Sequence, residues 1–337
     1  MSKIELKSFV KINLSIDVGA VSDDGYHPVD MIMQQLSFHD DVTVEYMPPS
    51  RGSSEIPEAA SANGGSYDIE VSTNRYYLPV DKRNLAYQAA ELMAERFGGR
   101  LPSDKAGGKI RIDIRKRIPV AGGLAGGSGN AAAVLLALNV LWYLKLSLRE
   151  LMDLGAMLGS DVPFCVMGQA RANANMPDYL RKDDMAVCAA RATGRGTLLE
   201  PVPPLKAWVV IAKPRLSVST KEVYQGIDKM EITVRPDNDR LVGRMKRSAH
   251  DRRSSYAVPD EEMIEDFVNV LEAYTLKTYP EVEKLKREMQ KEGAGSALMS
   301  GSGPTVFGIF RSMKESEKAA LSLQQAGLEA YWTKTIL

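Results

Sequence analysis

The sequence predicts an α+β fold in two successive halves, and three observations carry that prediction. Strand-like alternation of apolar and polar residues recurs through the first 115 residues. Amphipathic stretches of helical period are interleaved with it. A proline-rich change of pattern at residues 201–204 then separates the halves. A chain of 337 residues is long enough for two cores. With 44% hydrophobic and 26% charged residues it has the composition of an ordinary globular protein.

Taken in order, "IELKSFVKINLSIDV", "DDVTVEYM", "YDIEVST" and "KIRIDIRKRI" alternate with period two and read as strands. Residues 48–65 have turn chemistry throughout and no periodicity, so they read as an exposed loop. "NLAYQAAELMAERFG" is an amphipathic helix ending at glycine, the apolar run after Gly129 a second, and "SLRELMDLGAMLG" a third. "AWVVIAKP" reads as a buried strand, and "EDFVNVLEAYTLKTYPEVEKLKREMQKEG" as two helices meeting near Pro280. "ALMSGSGPTVFGIF" is strand, glycine turn, strand. "SEKAALSLQQAG" and "EAYWTKTIL" close the chain as helix and strand. Two segments stand outside this order. Residues 173–189 are polar, lie between two copies of "ARA", and read as an insertion on a loop, with chance as the alternative for so short a repeat. "RMKRSAHDRRSS" reads as a solvated loop or helix rim. The expected boundaries are a first domain at 1–168, an insertion and connector at 169–204, and a second domain at 205–337.

Several function classes are disfavoured. Lysine plus arginine equals aspartate plus glutamate at 43 each, so no global field draws nucleic acid or an anionic membrane. The N-terminal stretch lacks the apolar core of a signal peptide, and the longest apolar run is too short to span a bilayer. Two cysteines are too few for a disulfide framework and fit a reducing compartment. A cytoplasmic protein with a small-molecule partner is the expectation; composition leaves oligomeric state open.

"PVAGGLAGGSGNAAAVLLALNVLW", residues 119–142, carries the strongest chemical signal. Residues 119–130 hold five glycines directly before a helix. A strand entering such a loop and leaving through a helix gathers backbone N–H groups at a positive dipole end, which suits phosphate oxygens. Glycine lets the backbone approach the anion. A P-loop is ruled out because no lysine lies between Arg117 and Lys145. "GSGNAA" fits G-x-G-x-x-A, but the strand with a terminal acid about 20 residues on is missing. A glycine turn that merely permits close helix–strand packing is the plain alternative.

These glycines, with "VKINLSI" near the N-terminus and "LMSGSGPTVFGIF" near the C-terminus, resemble the three motifs of the GHMP kinases (galactose, homoserine, mevalonate and phosphomevalonate kinases) in that family's order. The resemblance implies a two-domain GHMP kinase fold, ribosomal-S5-like at the N-terminus and ferredoxin-like at the C-terminus, with ATP and Mg²⁺ as cofactors. "DDGYHPVD", "LGSDVPFCVMG" and "LSVSTKEVY" narrow it to members acting on a cytidine diphosphate derivative of a sugar alcohol.

Site residues follow from the same resemblance. Asp161 matches the family's catalytic aspartate and Lys11 its lysine partner, an aspartate at that place otherwise being an N-cap and a lysine on a strand otherwise a solvated one. Asn84 and Lys116 match residues near the adenine pocket; their plain alternatives are a helix cap and a solvated strand residue. Pro119, Gly122, Gly123, Gly126, Gly127 and Ser128 would line the ATP phosphates, with Ser128 as a weak candidate metal contact and no metal ligand otherwise assignable. Asn13, Tyr26, His27, Thr220 and Tyr224 would bind the substrate. In that set Tyr26 and Tyr224 offer rings and His27 polar groups to cytosine, while Thr220 lies near the acceptor hydroxyl or caps its helix. Tyr26 and His27 would otherwise decorate a turn after residues 23–25. Ser300, Gly301 and Ser302 would approach phosphates, or form only a tight turn. Many relatives carry Ser/Thr-Asp where this chain has Gly129–Asn130, so a charge is missing near the helix N-terminus.

Overall fold

The structure, a computed structural model, describes residues 2–23, 25–49, 67–102, 106–250 and 259–337. The predicted loop at 48–65 falls outside these residues except at its first two positions, as do Asp24 and the end of "RMKRSAHDRRSS". Two compact units emerge, and neither is continuous in sequence. One comprises Met1–Phe9, His39–Arg117 and Gly126–Ala186; the other Val10–Phe38, Ile118–Ala125 and Val187–Leu337. Strands β1 (Lys3–Val18) and β2 (Val29–Met47) pair with each other, and each supplies residues to both units.

In the first unit the C-terminal half of β2 pairs antiparallel with β4 (Gly108–Arg115), in register from Asp41–Arg115 to Met47–Lys109. Strand β3 (Tyr67–Thr73) lies parallel to β4. Helices α1 (Leu85–Phe97), α2 (Gly126–Leu141), α3 (Leu148–Leu158) and α4 (Val162–Ala172) belong to it, with a shorter one described below. Each start has a local cause. Asn84 caps α1 by accepting from the Ala86 N–H, and Ser147 with Glu150 forms a capping box at α3. Helix α2 is apolar on every face and is correspondingly buried from Gly129 onward. It begins at Gly126, so the glycines expected to precede the helix form its first turn.

Residues 173–189, expected as an insertion on a loop, are mostly turn, bend and irregular chain but are partly buried. They contain the short helix α5 (Asp178–Arg181), and Met176, Leu180, Ala186 and Cys188 are buried. The side chain of Asn173 closes a two-way bridge with the backbone of β1, accepting from the Lys7 N–H at 2.8 Å and donating to its carbonyl at 3.1 Å. Asn175, two residues on, donates to the Glu5 carbonyl at 2.8 Å. The segment therefore satisfies strand groups that would otherwise face water. The two "ARA" copies are not equivalent, one ending α4 and the other lying in strand β5 (Ala189–Gly194).

In the second unit the N-terminal half of β2 pairs with β5, and β5 with β6 (Leu198–Pro201). A four-stranded antiparallel sheet runs in the order β10 (Glu329–Lys334), β7 (Trp208–Lys213), β9 (Val306–Phe310), β8 (Ser296–Met299). Helices α6 (Thr220–Ile227), α7 (Asn238–His250), α8 (Glu261–Glu265), α9 (Glu272–Thr278), α10 (Pro280–Lys291) and α11 (Met313–Gln325) belong to this unit. The predicted pair of helices meets at Pro280, which begins α10 where its missing N–H costs nothing. Helix α7 buries Leu241, Val242 and Met245 in the unit's core. Its Arg244 is not solvated as expected: the side chain is 14% exposed and pairs with the fully buried Asp266 at 3.1 Å. Among the described residues no helix is long and apolar enough to cross a membrane.

Candidate active site

Glycine loop and C-terminal glycine turn meet within the second unit. Residues 118–125 belong to it, and the Lys11 amide donates to the Leu124 carbonyl at 3.3 Å, tying the loop to β1. Gly123 has φ of +72°, and a Cβ there would stand 2.2 Å from the Ser300 carbonyl oxygen. Only glycine fits that position. The Ser300 hydroxyl returns the contact by donating to the Gly123 carbonyl at 3.0 Å. Ala121 and Ala125 hold φ of +53° and +54° on either side, an uncommon state for residues with a side chain. Such strain gathers where a backbone must present itself to a ligand.

The turn at 300–303 is tight, with the Gly303 N–H donating to the Ser300 carbonyl at 3.0 Å. Sequence reading missed what holds it. Asn269, buried, donates to the carbonyls of Met299 and Gly301, both at 2.8 Å, and Glu272 accepts from the Met299 N–H at 2.8 Å. Nothing local to "NVLE" announces these partners, which lie about 30 residues away.

Lys11 is 4% exposed, which excludes the solvated strand face, and its Nζ donates to Asn13 Oδ1 at 2.9 Å. Thr220 is the first residue of α6 but not its cap. Ser219 holds that place, accepting from the Glu222 N–H, while the Thr220 hydroxyl lies 2.9 Å from that of Ser302. His27 packs with Tyr224, and Tyr26 precedes His27 in the chain. The His27 and Tyr224 rings are 5.5 Å apart, the His27 Nε2 lies 2.7 Å from Asp228 Oδ1, and the Arg195 guanidinium covers the Tyr26 ring at 4.0 Å.

The remaining predicted residues belong to the first unit. Asn84 is the cap of α1. Ser128 is half-buried in the first turn of α2, and Gly126 and Gly127 open that turn. Asp161 occupies the N-cap position of α4, yet its side chain makes no capping bond, against the plain alternative for an aspartate there. Lys116 corrects its own alternative. It is buried, and its ammonium is paired at 2.5 Å with Asp40, itself fully buried.

This pair accounts for the departure at Gly129–Asn130. A Cβ at position 129 would meet the Ser8 hydroxyl at 2.5 Å. The Asn130 amide, with Nδ2 toward its acceptors, donates to Ser8 Oγ at 2.8 Å and to Asp40 Oδ2 at 3.1 Å. An aspartate at 130 would set a second carboxylate against Asp40, beside one lysine, in a buried place.

The contrast between two glycines is testable. At Gly127 an added Cβ would meet only Leu85 Cδ1, at 3.6 Å, an ordinary contact. Gly123→Ala should therefore cost about 1–3 kcal/mol in backbone strain alone, read as a fall in Tm. Gly127→Ala should leave Tm unchanged, so a rise in its KM for ATP would report contact with the nucleotide and not folding.

The fold and these glycine motifs define a phosphotransferase class, and the chain belongs to the GHMP kinases. The family models for the GHMP kinases N terminal domain and GHMP kinases C terminal match residues 84–169 and 255–329. A protein named 4-diphosphocytidyl-2-C-methyl-D-erythritol kinase from Alkaliphilus metalliredigens is 40% identical over 95% of this chain and 92% of its own. One of the same name from Geobacillus thermodenitrificans is 41% identical over 91% and 88%. Among solved structures, a 4-(cytidine 5'-diphospho)-2C-methyl-D-erythritol kinase aligns with TM-score 0.71 and 27% identity over 98% of this chain and 99% of its own. A homoserine kinase from Cytophaga hutchinsonii, 15% identical with TM-score 0.62 over 100% and 95%, shares the fold. The two-domain GHMP kinase fold expected from the motifs is the fold found.

Proposed function

We propose that this kinase transfers the γ-phosphoryl group of ATP to the 2-hydroxyl of 4-diphosphocytidyl-2-C-methyl-D-erythritol. The observation that carries the reading is the gathering of Tyr26, His27 and Tyr224 within one unit. A cytosine ring asks for stacking faces and for hydrogen bonds along its Watson–Crick edge; the acceptor of a homoserine or mevalonate kinase has no ring to stack. The relatives that bear this substrate's name match over nearly the whole chain.

Phosphoryl transfer asks for an in-line hydroxyl, a held γ-phosphate and compensation of developing charge. Asp161 takes the proton of the acceptor hydroxyl, and Lys11 offsets charge. Thr220, already paired with Ser302, positions the acceptor. Asn13, which accepts from Lys11, lies beside it. Phosphates rest on the backbone of residues 119–128 and on the turn at 300–302. Asn84 lines the adenine side. Among the described residues no group of three or more His, Cys, Asp or Glu side chains could hold a metal. Mg²⁺ keeps much of its water and takes phosphate oxygens with one or two protein oxygens. The half-buried Ser128 hydroxyl would be one such oxygen. When bound, the ion would neutralise phosphate charge.

Purified protein with ATP should phosphorylate 4-diphosphocytidyl-2-C-methyl-D-erythritol and leave homoserine and mevalonate untouched. Transfer to either of the latter alone would make it a kinase of another small alcohol. Nucleotide binding without any turnover would make it a binding protein.

A further inference from the structure

Helix α6 carries more of the pocket than its first turn. Thr220, Tyr224 and Asp228 are spaced four residues apart, so they fall along one helical face, with Asp228 as the C-cap residue still in helical conformation. The first two were singled out by resemblance. The third was not, yet it makes a close polar contact with the histidine: Asp228 Oδ1 lies 2.7 Å from His27 Nε2. The imidazole is 10% exposed and the carboxylate 42%.

A carboxylate only accepts, so Nε2 must carry the proton. In a ring with one proton, Nδ1 is then a lone-pair acceptor. Among the described residues Nδ1 has no hydrogen-bond partner. The carboxylate thereby sets the tautomer that its histidine shows to a ligand.

We infer that Asp228 is a positioning residue for base specificity, holding the His27 ring so that Nδ1 accepts from the exocyclic amino group of cytosine. Uracil bears a carbonyl oxygen at that place, and two lone pairs would then face each other. The inference rests on the cytidine reading of Tyr26, His27 and Tyr224. It goes further by naming the group that separates cytidine from uridine substrates. Rejection by an unpaired polar group is stronger than rejection by shape, because the buried partner loses its hydrogen bond.

The test uses CDP and UDP as competitive inhibitors of the full-length enzyme, with ATP saturating. Wild type should bind CDP more tightly than UDP. Asp228→Ala and Asp228→Leu should shrink the CDP:UDP ratio by about tenfold, the worth of one such hydrogen bond. Their KM for the cytidine substrate should rise while KM for ATP holds, and Asp228→Glu, which keeps an acceptor, should recover most of the ratio. In the double variant His27→Ala/Asp228→Ala the ratio should equal that of His27→Ala alone, because Asp228 acts through the ring. The inference is overturned if Asp228→Ala keeps the wild-type ratio, or if CDP and UDP weaken together. A wild type that binds CDP well but UDP equally well also overturns it while leaving the pocket in place. A wild type that binds neither removes the cytidine reading itself.

Discussion

Replacing Asp161 with alanine should lower kcat by about a hundred- to ten-thousandfold, the usual contribution of a positioned proton acceptor, while nucleotide binding survives. Asp161 sits where a capping residue would, but α4 draws no side-chain bond from it. Loss of its charge at a helix N-terminus accounts for about 0.3–1 kcal/mol of stability, so a Tm measured alongside separates folding from catalysis. A single-turnover assay with ATP and the cytidine substrate, paired with ADP titration, separates the two effects. The outcome that sinks the assignment is full activity in Asp161→Ala; a loss of ADP binding equal to the loss of rate would move the residue from the acceptor to the nucleotide.

The second large effect is on stability. Lys116→Met should destabilise the fold by about 3–5 kcal/mol, the cost of leaving one member of a buried pair without the other. Asp40 would be the stranded charge, fully buried beside Asn130. Its other oxygen accepts from the Arg117 N–H at 2.7 Å, so the carboxylate pins the chain just before the glycine loop. Thermal unfolding decides the matter. The resemblance instead assigns Lys116 to the adenine pocket. A variant with wild-type Tm and a raised KM for ATP would support that role against the one argued from burial. Joint replacement of Asp40 by Asn and Lys116 by Met should cost less than Lys116→Met alone, since no lone charge remains.

The legible part of this fold was the periodic part. The start of β1, with β3, β4, α1, α3 and α11, announces itself because each buries one face and wets the other, which writes a period into the sequence. What escaped lacks that asymmetry. The N-terminal half of β2, "VDMIMQQLSF", is buried almost throughout and so shows no alternation. β5, "AARATG", is too small and too polar to look like a strand. Helix α7 is so rich in arginine and lysine that its apolar stripe was overlooked. For the candidate site, motifs pointed to the glycines, Lys11, Asp161 and the residues Tyr26, His27 and Tyr224, which stand as proposals. They could not show the residues that hold those in place: Asp40, Asn269 and Asp228 act on partners 76, 30 or more, and 201 positions away. Where a local rule and a tertiary contact competed, as at Thr220, adjacent Ser219 took the cap and freed the threonine hydroxyl for Ser302.

The interleaved composition of the two units bears on how the chain reaches its native state on the ribosome. The second unit needs residues 10–38 and 118–125 together with everything after 187. Its first strands are synthesised long before β5, which pairs with β2, and before β7 and β9, whose side chains share their core, so they must wait with apolar faces exposed. The usual order, in which an N-terminal domain folds while the next is still being made, is closed to such a chain. Assembly depends on pairings between distant segments, which form slowly. Cutting the gene between the two halves of the sequence would therefore yield no independently folding fragment, and early strands held by a chaperone until release are the natural companions of this topology.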